Sequence, residues 1–292
     1  MGKAQRNRAR SARERIAAQQ AAARKAEQRR RILIISGSVG LVLIIVVGFI
    51  VLKGLSKPTK QGSAGTLPAS VATDIVSVPA STLAKVGTGA IRSPIGVTLK
   101  PITDKTLTAN GKPEMLYIGA EYCPYCAAMR WSMAVALSRF GTFGLLRGIH
   151  SSSSDIYPNT ATLTFLNQQY SSKYLTFTPV ENEDLNRKIL QTPTKAEQAL
   201  WAKYDSSANG LGYPFIDFGN KVVLIGPLYV PTMLKGLTWA QIAGDLKDPS
   251  NTVSMNINGA ANYVTASICK MTNNAPSSVC TAAPIPTIES KL

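Results

Sequence analysis

Two cysteines with two residues between them, shortly behind a short apolar run, constrain this chain more than any other feature. The stretch reads Met115-Leu116-Tyr117-Ile118-Gly119-Ala120-Glu121-Tyr122-Cys123-Pro124-Tyr125-Cys126. Met115 to Ile118 predicts a strand. Behind the pair, Cys126, Met129, Met133 and Leu137 recur at helical spacing, which predicts a helix from Cys123 to about Arg139 with one apolar face. A dithiol at a helix N-terminus has a chemical use. The free N–H groups and positive dipole end of the first turn stabilise a thiolate, and the thiolate is the nucleophile of disulfide exchange. Pro124 suits the first turn, where its missing N–H has no intrahelical partner to lose.

Gly119-Ala120-Glu121-Tyr122-Cys123-Pro124-Tyr125-Cys126 resembles the active-site strand and helix start of the thioredoxin superfamily, and Pro-Tyr is the dipeptide typical of glutaredoxins. With the following Ala-Ala-Met-Arg-Trp, the stretch resembles a membrane-tethered prokaryotic branch, the domain of unknown function 929 family, over roughly residues 75–272. The resemblance implies an α/β, thioredoxin-like fold with an inserted segment. It also implies a cis-proline facing the dithiol, and Pro214 in Gly212-Tyr213-Pro214-Phe215 matches that position. Two departures stand out. Tyr117 occupies the place where some thioredoxins bury an acid, and Tyr213 is bulkier than the usual residue before the proline.

The charge is unevenly placed. Of a formal +16, residues 1–31 carry eleven Lys/Arg and two Glu, net +9, which leaves +7 on the other 261 residues. A nucleic-acid role for the whole chain is therefore disfavoured. After Arg31, Ile32 to Leu52 is a run of 21 residues without a charge. At about 1.5 Å per residue it is about 30 Å long, one hydrocarbon core. Lys53 follows it with no Ala-x-Ala, so an uncleaved signal anchor fits better than a secretory peptide. The basic cluster then keeps the N-terminus in the cytoplasm and sends everything after Lys53 outside. Residues 1–31 read as a tail that fixes topology, with anionic lipid or nucleic acid as the alternative partner.

This divides the chain into a basic tail (1–31), a transmembrane anchor (32–52), a flexible linker (53–70), an extracytoplasmic domain (71–272) and a Pro/Ser-rich tail (273–292) pinned by Cys280. Within the domain a short helix is expected around Ser81–Lys85. Asn110-Gly111 predicts a hairpin turn, Gly144–His150 a strand, and Ser151–Asp155 a polar loop. Thr160–Phe165 and Lys173–Val180 read as two strands or a hairpin. Helices are expected at Thr194–Tyr204 and Thr238–Leu246, each opening on a capping box, and at Asn258–Met271. Gly212–Ile225 reads as a strand, a Gly-Asn turn and a second strand.

All four cysteines lie on the expected outer side, where disulfides persist, and four suit one reactive and one structural pair. Cys123 is expected to be the exposed, acidic thiol that attacks, and Cys126 the buried one that resolves. Pro214 and Tyr213, with Tyr125, are expected to bind substrate, while Glu121, Tyr122 and Pro124 frame the dithiol. Glu121 and the two tyrosines read equally well as plain surface. Cys269 and Cys280 are expected to form the structural disulfide, with a relay pair feeding Cys126 as the alternative. A zinc site would want a second close ligand pair, which Cys269, Cys280 and the lone His150 do not supply. His150 reads as an ordinary strand-end residue. No metal and no cofactor are expected. The reading is a membrane-anchored thiol–disulfide oxidoreductase acting on protein cysteines, recharged by a membrane redox partner. The rival is a non-catalytic thioredoxin-like scaffold or chaperone.

Overall fold

A computed structural model describes residues 64–205 and 211–292. The basic tail, the anchor at 32–52 and most of the linker lie outside these residues. Among those described, no helix is long and apolar enough to cross a membrane.

The centre is a mixed sheet with helices on both faces. Its strands are β2 (Leu99–Pro101), β3 (Thr108–Ala109), β4 (Lys112–Gly119), β9 (Thr176–Glu181), β10 (Phe215–Phe218) and β11 (Val222–Ile225). β4 is the middle strand. It pairs antiparallel with β10, parallel with β9 and, at its start, antiparallel with β3; β11 and then β2 extend the β10 side. The hairpin at Asn110-Gly111 forms as expected, with both residues at positive φ, the geometry that two-residue hairpin turns require.

Alternation along β4 sorts its side chains into two cores. Met115 and Tyr117 face the larger core, with Ile216 and Phe218 from β10. Leu116 and Ile118 face a smaller one with Phe215, Val180 and Val223, closed by Trp201 from the helix Lys195–Tyr204. The larger core is covered by the dithiol helix (Pro124–Leu137) and the long helix Thr252–Met271, which pack on each other. The dithiol helix is buried on all sides except at Tyr125, so the single apolar face expected from its spacing understates its burial. A helix apolar nearly all round belongs in an interior.

Several expectations change in detail. The helix expected at Asn258–Met271 starts at Thr252, six residues earlier, because Asn251 caps it by accepting the Val253 N–H at 2.7 Å. Thr160–Phe165 and Lys173–Val180 do contribute strands, β7 (Ala161–Thr164) and β9, but not as a hairpin. β7 pairs with β6 (Arg147–His150), whereas β9 joins β4; β5 (Gly141–Phe143) and β8 (Tyr170–Ser172) pair with each other. Before the domain start placed at residue 71, β1 (Gly65–Thr66) already pairs with β6 and Leu67 is buried. Residues 273–292 are no loose tail. They form short helices at Ser277–Cys280 and Ile285–Glu289, and Ile285, Ile288 and Leu292 enter the larger core. The i, i+3 spacing of the two isoleucines puts both on the face that meets the long helix.

Candidate functional site

Strand register explains what surrounds the dithiol. Cys123 follows the end of β4 by four residues. Because β10 runs antiparallel with Phe215 opposite Ile118, its entrance at Tyr213 and Pro214 lies beside that end. Because β9 runs parallel with Glu181 opposite Gly119, the segment after it, Asn182 and Glu183, arrives there too. The Glu121 amide donates to the Glu183 carbonyl at 2.8 Å, and the Ser152 amide donates to the Tyr122 carbonyl at 2.9 Å. Three distant stretches thus clasp one turn.

Cys123 is the N-cap of the dithiol helix. Its sulfur accepts the Cys126 N–H at 3.3 Å, in the place an oxygen takes in ordinary caps. Both thiols are free. Burial disfavours a Cys123 thiolate, but hydrogen bonds from the Cys126 thiol and amide, the Arg130 charge and the Tyr125 amide outweigh it, and its pKa falls below the ordinary thiol value. The Cys126 thiol is pushed well above that value, first by burial and then by the neighbouring Cys123. The expected asymmetry of acidity is present. The expected exposure of Cys123 is not: it is only 5% exposed, because the aromatic rings of Tyr122, Tyr125 and Tyr213 pack around the pair.

Cys123 sits in an open cleft of about 370 Å³, walled by Tyr122, Tyr125, Tyr213, Glu183 and Arg187. Tyr122 meets Tyr213 edge-on at 6.3 Å, and Arg187 lies over the Tyr122 ring at 3.8 Å while pairing with Asp155 at 2.9 Å. Trp201 holds the far wall, donating to the Gly212 carbonyl at 3.2 Å and packing its ring, tilted, against Tyr213 at 5.2 Å. The Tyr213–Pro214 bond is cis. Pro214 itself is buried behind the wall, and Tyr213 is the residue that faces the cleft.

Glu121, which read equally well as surface, is buried. It accepts from Thr164 Oγ1 at 2.7 Å, and its pKa is raised, chiefly by burial. Behind the dithiol lies an ion pair that the sequence reading missed. Arg130 donates through Nε and Nη2 to both carboxylate oxygens of Glu181, at 2.9 and 2.6 Å, and through Nη2 to the Ala120 carbonyl at 2.8 Å. Both side chains are fully buried. Tyr117 turns its hydroxyl back over Gly119, where a Cβ would stand 2.0 Å from that oxygen, so only glycine fits. One signal pointed to the pair: Arg130 is the only charged residue in Pro124–Leu137. His150 ends β6, meets the Trp239 ring at a tilt with centroids 4.4 Å apart and has its pKa lowered by burial. Among the described residues, no cluster of three His, Cys, Asp or Glu is placed to hold a metal.

Cys269 and Cys280 are joined in a disulfide. They belong to the larger core, whereas Cys123 and Cys126 form a separate cluster.

A mixed α/β domain with a capped, unequal Cys-x-x-Cys pair defines the class of protein at hand. Residues 99–270 match the model of a family described as "Domain of unknown function (DUF929)", and the chain belongs to that family. No curated protein and no solved structure matches the chain.

Proposed function

We propose that this protein is a thiol–disulfide oxidoreductase with a thioredoxin-like active site, in which Cys123 attacks and Cys126 resolves. One observation carries the reading. Cys123 caps its helix through sulfur, so the amide of Cys126 and the helix end stabilise its thiolate, while Cys126 one turn further in is held as a thiol. The arrangement around the pair, with a central β4, an antiparallel β10 entered through a cis-proline and helices on both faces, fits the thioredoxin-like arrangement that the sequence resembles.

In the forward direction the Cys123 thiolate attacks one sulfur of a substrate disulfide. A Cys123–substrate bond forms, and the other substrate sulfur leaves as a thiolate that takes up a proton. Cys126 then loses its proton and attacks Cys123 Sγ, closing the Cys123–Cys126 disulfide and expelling the second substrate thiol. The substrate gains two electrons and the dithiol loses two. The reverse sequence oxidises a substrate dithiol, and the direction follows from the reduction potential and the partner. The cleft fits an extended polypeptide segment that brings its sulfur in between Tyr122 and Tyr213.

We also propose that the domain works outside the membrane, anchored by residues 32–52 and recharged by a membrane redox protein. The Cys269–Cys280 disulfide supports an oxidising compartment. The scaffold reading draws on a different observation, the burial of Cys123. The full chain should reduce insulin in the presence of dithiothreitol, and Cys123–Cys126 should equilibrate with glutathione buffers at a definite potential. A dithiol that neither turns over insulin nor responds to the buffers would leave the scaffold as the better account.

A further inference from the structure

Arg130 sits one helical turn after Cys126, at the i, i+4 spacing that makes two side chains neighbours on one helix face. Its Nη2 binds the Ala120 carbonyl, the same oxygen that accepts the Cys123 amide at 3.2 Å. One guanidinium therefore lies on the same helix face as one cysteine and holds the turn that carries the other. Among the described residues, its Nη1 has no hydrogen-bond partner, and neither has the buried Tyr117 hydroxyl. A buried ion pair is a poor way to hold a core together, since well-packed apolar side chains of similar volume serve as well or better. Its presence in an otherwise uncharged helix asks for another use.

We propose that Arg130 is the positioning residue of the dithiol: its guanidinium supplies the positive charge against which Cys126 gives up its proton and attacks Cys123 Sγ. The inference rests on the reading above, in which Cys126 resolves a mixed disulfide held on Cys123. In that step the Cys126 S–H proton ends on the departing thiol, the Cys126–Cys123 bond forms and the Cys123–substrate bond breaks. Glu181 keeps the guanidinium in place. The other titratable groups packed around it are Tyr117 from β4 and Glu121 from the turn, the latter held by Thr164 of β7. Burial raises the Tyr117 pKa well above that of a free phenol, so that hydroxyl stays neutral and leaves Arg130 as the cation. The Arg130 charge favours the thiolate of both cysteines.

The test uses two small reagents on the full chain. The pH midpoint of iodoacetamide alkylation reads the Cys123 thiolate. The second phase of thionitrobenzoate release from Ellman's reagent reads resolution by Cys126. R130M/E181Q removes the charge together with its counter-charge, so folding is spared a lone buried ion. It should raise the alkylation midpoint by about one pH unit, a tenfold loss of thiolate near neutrality, and slow the second phase at least as much. R130K should recover most of both, because it keeps the charge and loses only the fork. E181Q alone should move the midpoint down, since the cation then acts unopposed. If the double variant does not fold, R130Q/E181Q, which also removes both charges and keeps hydrogen-bonding groups, is read in its place with the same expected shift. A purely structural role would lower the unfolding temperature of all three and leave the midpoints where they are. Unchanged midpoints and an unchanged second phase in folded variants would overturn the proposal. Neither readout depends on turnover of a protein substrate. Failure to reduce insulin would therefore count against the oxidoreductase reading and not against the role of Arg130.

Discussion

Asp217 bears a cost that a single side chain makes measurable. It lies buried on β10 with one oxygen accepting the Asn220 amide at 2.6 Å and the other, among the described residues, unpartnered. Burial, with smaller contributions from Glu114 and Asp104, raises its pKa to about 6. Between about pH 4 and 6 the folded protein keeps a proton that the unfolded chain has released, so stability falls as pH rises through that window and levels off above it. At about 1.4 kcal/mol per pH unit, the loss is about 2–3 kcal/mol at most. Asp217→Asn keeps the acceptor for Asn220 and removes the charge. Urea unfolding should find it about 2 kcal/mol more stable than the wild type at pH 7 and little different at pH 4. A variant less stable at both pH values would contradict this. The dithiol was legible in the sequence at this same scale, since spacing, Pro124 and the apolar run all pointed one way. The burial of Glu121 and the partner of Arg130 were not. Both depend on Thr164 and Glu181, far along the chain, and no local pattern encodes which side chain a buried charge will meet.

Elements were legible where the signal was local. Both capping boxes form, Thr194 with Glu197 and Thr238 with Gln241, and both hairpins turn where Asn-Gly and Gly-Asn place them. Where pairing is long-range the sequence was silent, which is why β7 and β9 read as possible partners and belong to different sheets. The C-terminal segment shows the same limit, because its Pro/Ser content hid the two isoleucines that dock on the long helix. Its disulfide can be tested. Cys269 and Cys280 lie 11 residues apart, and closing so short a loop is worth about 2.8 kcal/mol in the chain-entropy model. The double Cys269→Ala/Cys280→Ala variant should lose about that much in urea unfolding yet keep insulin turnover at a temperature where it stays folded. Loss of turnover in the folded variant would favour a relay to Cys126.

At the scale of the whole molecule, the proposed topology, with an anchor at residues 32–52, leaves the reactive turn on the outer side of the membrane. In membrane vesicles of known orientation, an impermeant thiol reagent applied after reduction should label Cys123 from the outer side. Labelling from the cytoplasmic side alone would overturn the compartment. The central claim is the division of labour between the two cysteines, and its most direct test is trapping in vivo. On non-reducing gels, Cys126→Ser should accumulate mixed disulfides with partner proteins, because Cys123 still attacks and nothing resolves the product. Cys123→Ser should accumulate almost none, since the remaining thiol is fully buried and held protonated. Equal trapping by both variants, or trapping by Cys123→Ser alone, would contradict the account.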